Sequence, residues 1–323
     1  MPVIHVHMLD TADDADAAFL APLLDDEISL TEGPDVPAAT QILIGGLPTR
    51  EQLASPRVTS LIIPWVGLPG RTRKLLDDFP HVQVHNLHYN APMVAEMAVA
   101  LLLAAAKFVV PFDQALRRDD WGPRYEPAPS VLLSGRTGLV LGYGEIGRRV
   151  AKVCRALGMT VLGTRLHPQA TDGIAHEVHA SFALADLLPR AQALVVCLPL
   201  TPETKGMIGK DQLALLPPDA VVVNIGRGPI VDEGALYAAL RDRHIAAAGL
   251  DVWYNYPTDE QSRAATPPSR YPFGELDNVV MSPHRGGSVV ETEQLRAEAL
   301  AEMLRAAVAG KPLPNPVNLD LGY

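Results

Sequence analysis

The chain has 323 residues, and its 27 lysines and arginines against 37 aspartates and glutamates give a formal net charge of −10. This length exceeds the usual size of one domain, so it favours one large or two ordinary domains. A hydrophobic fraction of 48% with a charged fraction of 20% predicts a packed core rather than a disordered chain. The net negative charge argues against nucleic acid or an anionic membrane as a partner through bulk attraction, and it leaves only a local basic site open.

The cysteines and the N-terminus predict a cytoplasmic protein. Cys154 and Cys197 lie in apolar runs without metal-ligand spacing, so we predict two reduced core thiols and no metal site. The opening residues MPVIHVHMLDTADD turn acidic and lack a basic start and a long apolar run, which argues against a signal peptide. The longest apolar stretch, 97–106, is far shorter than the roughly 20 residues that span a bilayer.

Short apolar runs alternate with stretches of helical spacing over the first ninety residues. The predicted strands are 3–8, 42–44, 61–63 and 82–84. This alternation is typical of βαβ units and a parallel sheet. Residues 94–110 are apolar on nearly all sides and predict a buried helix. Residues 111–134 carry four prolines and are predicted to be irregular.

The alternation becomes stricter after Gly138. The predicted strands are 138–144, 159–165, 193–199, 220–226, 245–253 and 279–284. The predicted helices are 146–157, 210–215, 233–241 and an amphipathic terminal helix at 291–309. Residues 256–277 are proline-rich and predict a loop. Apolar strands with crossover helices indicate an α/β fold around a parallel sheet that is buried on both faces.

A glycine-rich segment, GYGEIG, lies between a predicted strand and a predicted helix. Gly142 would make the tight turn, Gly144 would let the backbone approach a pyrophosphate, and Gly147 would let the helix pack on the strand. The helix N-terminus offers free N–H groups to phosphates. The alternative is a glycine turn without a ligand. The predicted contacts of a dinucleotide in this segment are Gly142, Tyr143, Gly144, Glu145, Ile146 and Gly147.

The end of the next strand bears on which dinucleotide is bound. An NAD site usually has an acidic residue there to bind the ribose 2′-hydroxyl, but this strand ends in Thr164 and Arg165. Arginine can neutralise a 2′-phosphate while threonine donates a hydrogen bond, so NADP(H) is favoured, with NAD(H) possible. The alternative is that Arg165 is a solvated surface charge and that either cofactor is accepted.

Five motifs resemble those of the D-isomer-specific 2-hydroxyacid dehydrogenase family, in its order and spacing. They are LSGRTGLVLGYGEIGRRVA, CLPLTPETKGMI, VVVNIGRGPIVDEGALYAAL, AAGLDVW and SPHRGG. The resemblance implies two Rossmann-like parallel-sheet domains, with a flavodoxin-like substrate domain at 1–92 and 291–323. It implies an NAD(P)-binding Rossmann domain at 93–290 and an active-site cleft between the domains. It also implies a homodimer, with helix 94–110 in the interface.

The resemblance assigns roles to residues of these motifs. Arg227 is expected to hold the substrate carboxylate and polarise the carbonyl, since a guanidinium fork pairs with a carboxylate at the end of a strand. His284 is expected to be the acid/base that gives a proton to the carbonyl oxygen. Their alternatives are a structural arginine that caps a turn and an ordinary polar histidine. Asn90 and Gly67 match contacts to the substrate carboxylate. Further expected cofactor contacts are Leu198, Pro199, Thr204, Ile225, Gly226, Asp251, which would bind the nicotinamide carboxamide, and Gly287.

One departure from the family pattern concerns the partner of His284. Most members have a glutamate that raises the histidine pKa, five residues after the aspartate of LDVW, where this chain has Tyr256. A phenol can orient the imidazole but cannot stabilise imidazolium as a carboxylate does, so His284 should hold its proton less tightly. Tyr256 is our orienting candidate. A bridging water, or an acidic residue of the following loop, is the alternative; the acids are Asp259, Glu260, Glu275 and Asp277.

Two other departures bear on the substrate. Arg285 stands where a small or apolar residue is commoner, so it adds positive charge that would suit a dicarboxylate or phosphorylated substrate and disfavour protonated His284. Trp65 lies in the expected substrate loop and would narrow the pocket. Outward-facing packing is the alternative for both side chains.

The favoured function is NAD(P)H-dependent reduction of a small 2-keto acid to a D-2-hydroxy acid, of the glyoxylate or hydroxypyruvate type. The missing glutamate keeps two alternatives open. One is a formate-type NAD(P) oxidation, which needs no proton relay. The other is a non-catalytic nucleotide-sensing protein, like the C-terminal binding proteins of the family, because fold alone does not decide function.

Overall fold

The computed structural model describes residues 3–9, 17–167 and 172–319. The opening segment used above to argue against a signal peptide therefore lies partly outside the described residues. The chain divides into two compact units, Met1–Asn90 with Ser288–Tyr323, and Ala91–Gly287. The substrate and cofactor roles of the two predicted domains stay predictions at this point.

The first unit is built on a five-stranded parallel sheet with the order β2-β1-β3-β4-β5. Its strands are β1 (Ile4–Met8), β2 (Ile28–Glu32), β3 (Ile42–Ile44), β4 (Ser60–Ile63) and β5 (Gln83–Asn86). Its helices are α1 (Ala17–Leu20), α2 (Arg50–Leu53), α3 (Gly70–Leu75) and α10 (Thr292–Val308). Strand β2 was not predicted, because this half-exposed edge strand, ISLTE, carries no continuous apolar run.

The terminal helix α10 covers one face of this sheet. Its buried residues repeat at helical spacing, as expected for one apolar stripe, and are Ala297, Leu300, Ala301, Met303 and Leu304. They pack in one cluster with Val6, Ile44 and Ile62 of the strands. The predicted helix 291–309 is therefore confirmed to within a residue at each end. It joins the chain's C-terminal part to the fold of its first ninety residues.

The second unit is built on a seven-stranded parallel sheet with the order β12-β11-β10-β9-β6-β7-β8. Its strands are β6 (Thr137–Leu141), β7 (Thr160–Arg165), β8 (Glu177–Ala180), β9 (Ala193–Val196), β10 (Val221–Asn224), β11 (Ala247–Leu250) and β12 (Val279–Met281). Its helices are α4 (Ala91–Lys107), α5 (Val109–Leu116), α6 (Glu145–Ala156), α7 (Leu184–Leu187), α8 (Lys210–Ala214) and α9 (Glu233–Arg241). Short 3-10 helices occur in both units, at Ala21–Leu23, Leu76–Asp78, Gly122–Arg124, Ser181–Ala183, Leu188–Arg190, Gly228–Ile230, Gln261–Ala264 and Phe273–Glu275.

The two apolar clusters of this unit lie on opposite faces of its central strands. Alternate residues of β10 belong to different clusters: Val222 packs in one, Val221 and Val223 in the other. This burial of both faces explains why the strands read as continuous apolar runs. The predicted α/β class with two parallel sheets is confirmed.

Several expected elements of the second unit differ from those observed. Strands β6, β9, β10 and β11 end two or three residues earlier than predicted. The predicted helix 94–110 is α4, which ends at Lys107, because Phe108 adopts a left-handed φ of 53° that breaks the helix. Helix α5 then begins at Val109, so the prediction that residues 111–134 are wholly irregular was wrong. The last strand ends at Met281 rather than at 284. Beyond it the chain turns, with His284 itself at a φ of 59°. The sequence analysis also missed β8, a half-exposed strand at the edge of the sheet.

No single helix among the described residues is both long and apolar enough to cross a membrane. Helices α4 and α5, which are bent by 65° at their junction, reach that length and hydropathy only when taken together.

Candidate active site

The glycine-rich segment forms a tight turn between β6 and α6. Gly142 has a φ of +93°, which side-chain-bearing residues rarely adopt. A Cβ on Gly147 would lie 2.1 Å from the carbonyl oxygen of Gly142, so this glycine is required for the first turn of α6 to pack on the strand end. Gly144 is different, since a Cβ there would meet no atom within 4 Å. The turn therefore leaves open space beside Gly144.

The first turn of α6 has the features of a phosphate cradle. The helix begins at Glu145 with Gly144 as its N-cap, and no side chain caps its N–H groups. The carboxylate of Glu145 is paired with Arg149, one turn along the helix, at 3.0 Å. Uncapped N–H groups and the positive end of the helix dipole favour an anion at this position. The residues here fit the pyrophosphate of a dinucleotide.

Replacing Gly144 by alanine should separate ligand binding from folding. The backbone conformation of Gly144 suits alanine and the added methyl group meets no protein atom, so the melting temperature should stay within about 2 °C of wild type. The methyl group would occupy the open space, so we expect KM for the dinucleotide to rise about tenfold, a loss comparable to one hydrogen bond. Steady-state kinetics and thermal unfolding measure both. Gly147→Ala is the matched control, because its clash should lower the melting temperature. An unchanged KM in Gly144→Ala would refute the cradle.

Tyr143 is a buried residue of this turn. Its ring lies against β7, where a Cβ on Gly163 would come within 2.7 Å of it. Its hydroxyl donates to Asp172 at 2.8 Å and accepts from the backbone N–H of Ala175. Burial and the negative charge of Asp172 raise its pKa to about 12. The side chain thus holds the turn on the sheet, which leaves the backbone of Tyr143 as the part that can face a ligand.

The end of β7 presents Arg165 close to this turn. The carbonyl of Thr164 accepts hydrogen bonds from the N–H groups of Gly142 and Tyr143, so β7 ends directly beside the glycine turn. Thr164 is buried, whereas Arg165 is half-buried and its side chain forms no ion pair or hydrogen bond with any residue that the structure describes. A positive charge therefore stands at the strand end where a ribose-binding acid is usual.

Two loops at the same edge of the sheet contain the other expected cofactor residues. After β9, the hydroxyl of Thr204 donates to the carbonyl of Pro199 at 2.7 Å and closes a compact turn. After β10, Ile225 is buried, and a Cβ on Gly226 would lie 2.5 Å from the carbonyl oxygen of Leu198. The two loops therefore touch through their backbones.

Arg227 follows this close approach. Its guanidinium donates to the carbonyl of Gly226 at 2.7 Å, and the amide of Asn224 fixes the backbone of Arg227 by donating to its carbonyl at 3.0 Å. Partial burial lowers its pKa, but a guanidinium stays charged at neutral pH. No carboxylate among the described residues forms an ion pair with Arg227. A half-buried, unpaired cation at a strand end is suited to bind an anion.

Asp251 fixes the segment that carries His284. This buried carboxylate accepts from the Ser282 hydroxyl at 2.5 Å and from the backbone N–H groups of Arg285 and Gly286 at 2.9 Å each. His284 lies inside this loop in the left-handed region, which costs a residue other than glycine about 1–2 kcal/mol. Asp251 thus anchors the loop, in addition to the nicotinamide contact expected from the family. Gly287, half-buried, follows the loop directly.

His284 lies close enough to Arg227 for the positive charge of Arg227 to change the pKa of the imidazole. Partial burial of the imidazole lowers its pKa below the usual 6.5, and the positive charge of Arg227 lowers it further. Asp251 acts in the opposite direction. The expectation that Arg285 also disfavours protonated His284 stays a prediction. The neutral imidazole is therefore the favoured form at neutral pH.

Tyr256 contacts His284 through its ring. The ring centroids are 5.6 Å apart, and the Tyr256 hydroxyl accepts from the backbone N–H of Trp253 at 3.0 Å. Burial raises the pKa of Tyr256, while the Trp253 N–H and Arg227 lower it. His284 has no hydrogen-bond partner among the described residues.

The acids of the following loop do not reach His284. Asp259 accepts from the backbone N–H of Ser262 at 2.8 Å, and Glu260 pairs with Arg263 at 2.9 Å. Asp277 pairs with Arg243. Glu275 is exposed, and no contact joins it to His284 within the described ranges. The alternative of an acidic partner from this loop thus finds no support.

The expected substrate residues of the first unit follow β4 and β5. Trp65 is half-buried and packs on Gly46, where a Cβ would lie 2.0 Å from the indole. Gly67 is half-buried in the same loop, which Asn86 holds by donating to the carbonyl of Val66 at 2.7 Å. The side-chain oxygen of Asn90 is buried and lacks a hydrogen-bond partner among the described residues. An orphaned buried oxygen is rare and suits a ligand-binding position.

Sequence reasoning missed three residues of the second unit's site. Asn224 shapes the Arg227 loop by donating to Arg227 and by accepting from the N–H of Gly226. Ser282 binds Asp251, and Trp253 donates its indole N–H to the Ser282 carbonyl. The asparagine of NIGRG and the serine of SPHRGG stand inside motifs that were quoted for other residues. Nothing in the sequence pattern marks the indole contact.

Comparison with known proteins identifies the family. Residues 99–286 match the family model described as the NAD-binding domain of D-isomer-specific 2-hydroxyacid dehydrogenases. The chain is 33% identical over 307 residues to D-3-phosphoglycerate dehydrogenase of Mycobacterium leprae, covering 92% of this chain and 56% of that protein. It is 38% identical over 234 residues to glyoxylate reductase of Aeropyrum pernix, covering 70% and 66%.

A solved structure has a similar fold over the full length of this chain. A D-isomer-specific 2-hydroxyacid dehydrogenase from Xanthobacter autotrophicus Py2, crystallised with NADPH and MES, superimposes with a TM-score of 0.81 at 28% identity, with 100% of both chains covered. The chain spans about half the length of the D-3-phosphoglycerate dehydrogenases it matches. The chain belongs to the D-isomer-specific 2-hydroxyacid dehydrogenase family.

Proposed function

We propose that this protein is a nicotinamide-dependent reductase of small 2-keto acids that forms D-2-hydroxy acids, of the glyoxylate or hydroxypyruvate type. The observation that carries the proposal is the unpaired, half-buried guanidinium of Arg227 close to His284 at the sheet edge that holds the glycine turn. An anion-binding group beside a proton-carrying group is the combination that reduction of a keto acid requires. The names and bound NADPH of similar proteins support it.

Arg227 and His284 have different roles in the proposed reaction. A dinucleotide held at the glycine turn would supply the hydride for C2 of the substrate. Arg227 binds the substrate carboxylate in a bidentate pair and polarises the C2 carbonyl. An imidazole nitrogen of protonated His284 gives its proton to the C2 oxygen, so hydride and proton together convert the keto acid to the hydroxy acid. His284 leaves the step neutral, the form that Arg227 favours.

NADP(H) is the proposed cofactor, with NAD(H) the alternative. Arg165 at the end of β7 is the group that would bind the 2′-phosphate, with Thr164 beside it. Replacing Arg165 by alanine is expected to raise KM for NADPH about 10- to 100-fold, the worth of a charge-assisted hydrogen bond, and to change KM for NADH less than twofold. Initial rates with each cofactor measure this. Arg190→Ala, an exposed arginine paired with Glu177, is the control. If KM for NADPH and KM for NADH rise equally, Arg165 contributes only a general positive charge and does not recognise the 2′-phosphate.

Asn90, Gly67, Trp65 and Arg285 are proposed substrate contacts. The orphaned oxygen of Asn90 supports its assignment. Arg285 is exposed and forms no side-chain ion pair in the described part of the chain, so its charge is available to a second anionic group on the substrate. Trp65 would narrow the substrate pocket. The domain boundaries 1–92 with 291–323 and 93–290 are part of this proposal.

A homodimer is the proposed assembly, and the cytoplasm the proposed location, with no nucleic acid or membrane as partner. Apolar side chains lie exposed on α5 and the segment after it, at Val109, Leu116, Trp121, Tyr125 and Leu132. Exposed apolar side chains on one segment are suited to an interaction surface. Their position directly after α4 supports the expected interface.

The decisive experiment is the initial rate of NADPH and NADH oxidation with glyoxylate, hydroxypyruvate and phosphohydroxypyruvate, together with NADP⁺ and NAD⁺ reduction by formate. Turnover of a keto acid supports the proposal, and faster turnover with NADPH supports the cofactor preference. The missing carboxylate partner of His284 keeps the formate-type oxidation as a second candidate. If formate is the only substrate that is turned over, formate-type oxidation replaces keto-acid reduction as the proposed function. Tight nucleotide binding without turnover of any substrate would favour the nucleotide-sensing alternative.

A further inference from the structure

We propose that Trp253 is a positioning residue that holds the segment carrying His284 in register with the loop carrying Arg227. The proposal rests on the proposed function, because it concerns how the two reacting groups of that site are kept together. The role of Trp253 does not require contact with the reacting atoms. Trp253 contacts three neighbouring segments.

The first of these contacts is a hydrogen bond to the His284 segment. The Trp253 side chain is 5% exposed, and its indole Nε1–H donates to the carbonyl of Ser282 at 2.8 Å. Ser282 is itself buried and stands two residues before His284. A buried carbonyl is unfavourable without a donor, so the indole N–H contributes directly to the position of this segment.

The other two contacts use the backbone of Trp253. A Cβ on Gly228, the residue after Arg227, would lie 2.2 Å from the carbonyl oxygen of Trp253. The backbone N–H of Trp253 donates to the hydroxyl of Tyr256 at 3.0 Å, and that tyrosine ring packs on His284. One residue therefore touches the segments of Arg227, Tyr256 and His284. Its indole also packs edge-on against Phe273, with the ring centroids 6.0 Å apart, which fixes its orientation.

The strained backbone of His284 explains why such a tether is needed. A left-handed residue other than glycine persists only where surrounding contacts hold it. Asp251 binds the Ser282 hydroxyl and the two N–H groups after His284, and Trp253 binds the Ser282 carbonyl. Phenylalanine at position 253 would fill most of the indole's volume and could not hold that carbonyl.

Replacing Trp253 by phenylalanine tests the tether. We expect kcat for keto-acid reduction to fall about tenfold, KM for NADPH to change less than twofold, and the His284 pKa measured by NMR to rise towards 6.5. A released imidazole gains water and leaves the charge of Arg227, which is why its pKa should rise. Tyr254→Phe is the matched control, since it removes a side-chain hydrogen bond of similar length to the carbonyl of Val231. It should leave the His284 pKa unchanged.

A double variant and an exchange measurement complete the test. Trp253→Phe and Ser282→Ala loosen one segment, so their effects on kcat should be less than additive, whereas Tyr254→Phe should add independently. In the wild type, the Trp253 indole N–H and the Gly286 amide should be equally protected from exchange with solvent, each relative to its own unprotected rate, because one opening frees both. This measurement needs no variant to fold. A Trp253→Phe protein with unchanged kcat and unchanged His284 pKa would overturn the tether, as would independent exchange of the two N–H groups.

Absence of wild-type turnover would instead overturn the proposed function, and NMR and exchange would still decide the tether.

Discussion

Replacing Arg227 by lysine is expected to lower kcat/KM for the keto acid about 10²- to 10³-fold, the usual loss for one preorganised donor at a reacting oxygen. Lysine keeps the positive charge, but an ammonium group cannot form the parallel pair of hydrogen bonds that a planar guanidinium makes with a carboxylate. The loss should appear in both KM and kcat, because Arg227 both binds the carboxylate and polarises the carbonyl. Initial rates over a range of keto-acid concentrations measure it.

The control for this variant is Arg263→Lys. Arg263 is exposed and paired with Glu260, so the same chemical change there should alter kcat/KM less than twofold. Binding of NADPH, followed by fluorescence, should stay within twofold of wild type in both variants. An Arg227→Lys enzyme with wild-type kcat/KM would show that Arg227 is a structural residue of the turn.

Replacing His284 by glutamine is expected to lower kcat for reduction about 10²- to 10⁴-fold, the usual contribution of a positioned general acid. Glutamine can still donate a hydrogen bond to the C2 oxygen, but it cannot transfer a proton. NADPH binding should be retained, because the anchors of this loop are Asp251 and Trp253 rather than the imidazole. Stopped-flow measurement of a single turnover separates the chemical step from product release.

His81→Gln serves as the control for this replacement, because His81 is exposed on the first unit. A His284→Gln enzyme that reduces keto acids at the wild-type rate would remove the acid role. The same enzyme with formate oxidation intact and keto-acid reduction lost would support the formate-type candidate.

The fold was predictable from sequence because its signals are local. Strands buried on both faces read as apolar runs, and the glycine turn lies where a strand gives way to a helix. The misses have physical reasons: β2 and β8 are half-exposed edge strands without apolar runs, and α5 is separated from α4 by the left-handed Phe108 alone.

The site was predictable only as far as residue types reveal chemistry. Motifs marked Arg227 and His284. The three hydrogen bonds to Asp251 and the indole contact of Trp253 join residues that are about 30 positions apart and depend on the folded loop. The hydroxyl of Tyr256 turned out to bind the Trp253 backbone, which no sequence pattern indicates.

The pH dependence of keto-acid reduction tests the central claim most directly, namely that His284 is a proton donor without a carboxylate partner. Reduction needs the protonated imidazole. Partial burial and Arg227 lower its pKa, so kcat/KM should fall as pH rises, with a midpoint below 6.5. Tyr256→Glu should move this midpoint upward, because a carboxylate beside the ring favours the imidazolium, whereas the neutral Tyr256→Gln should not. A pH-independent rate between about 5 and 8, or a wild-type midpoint above about 7, would contradict the account.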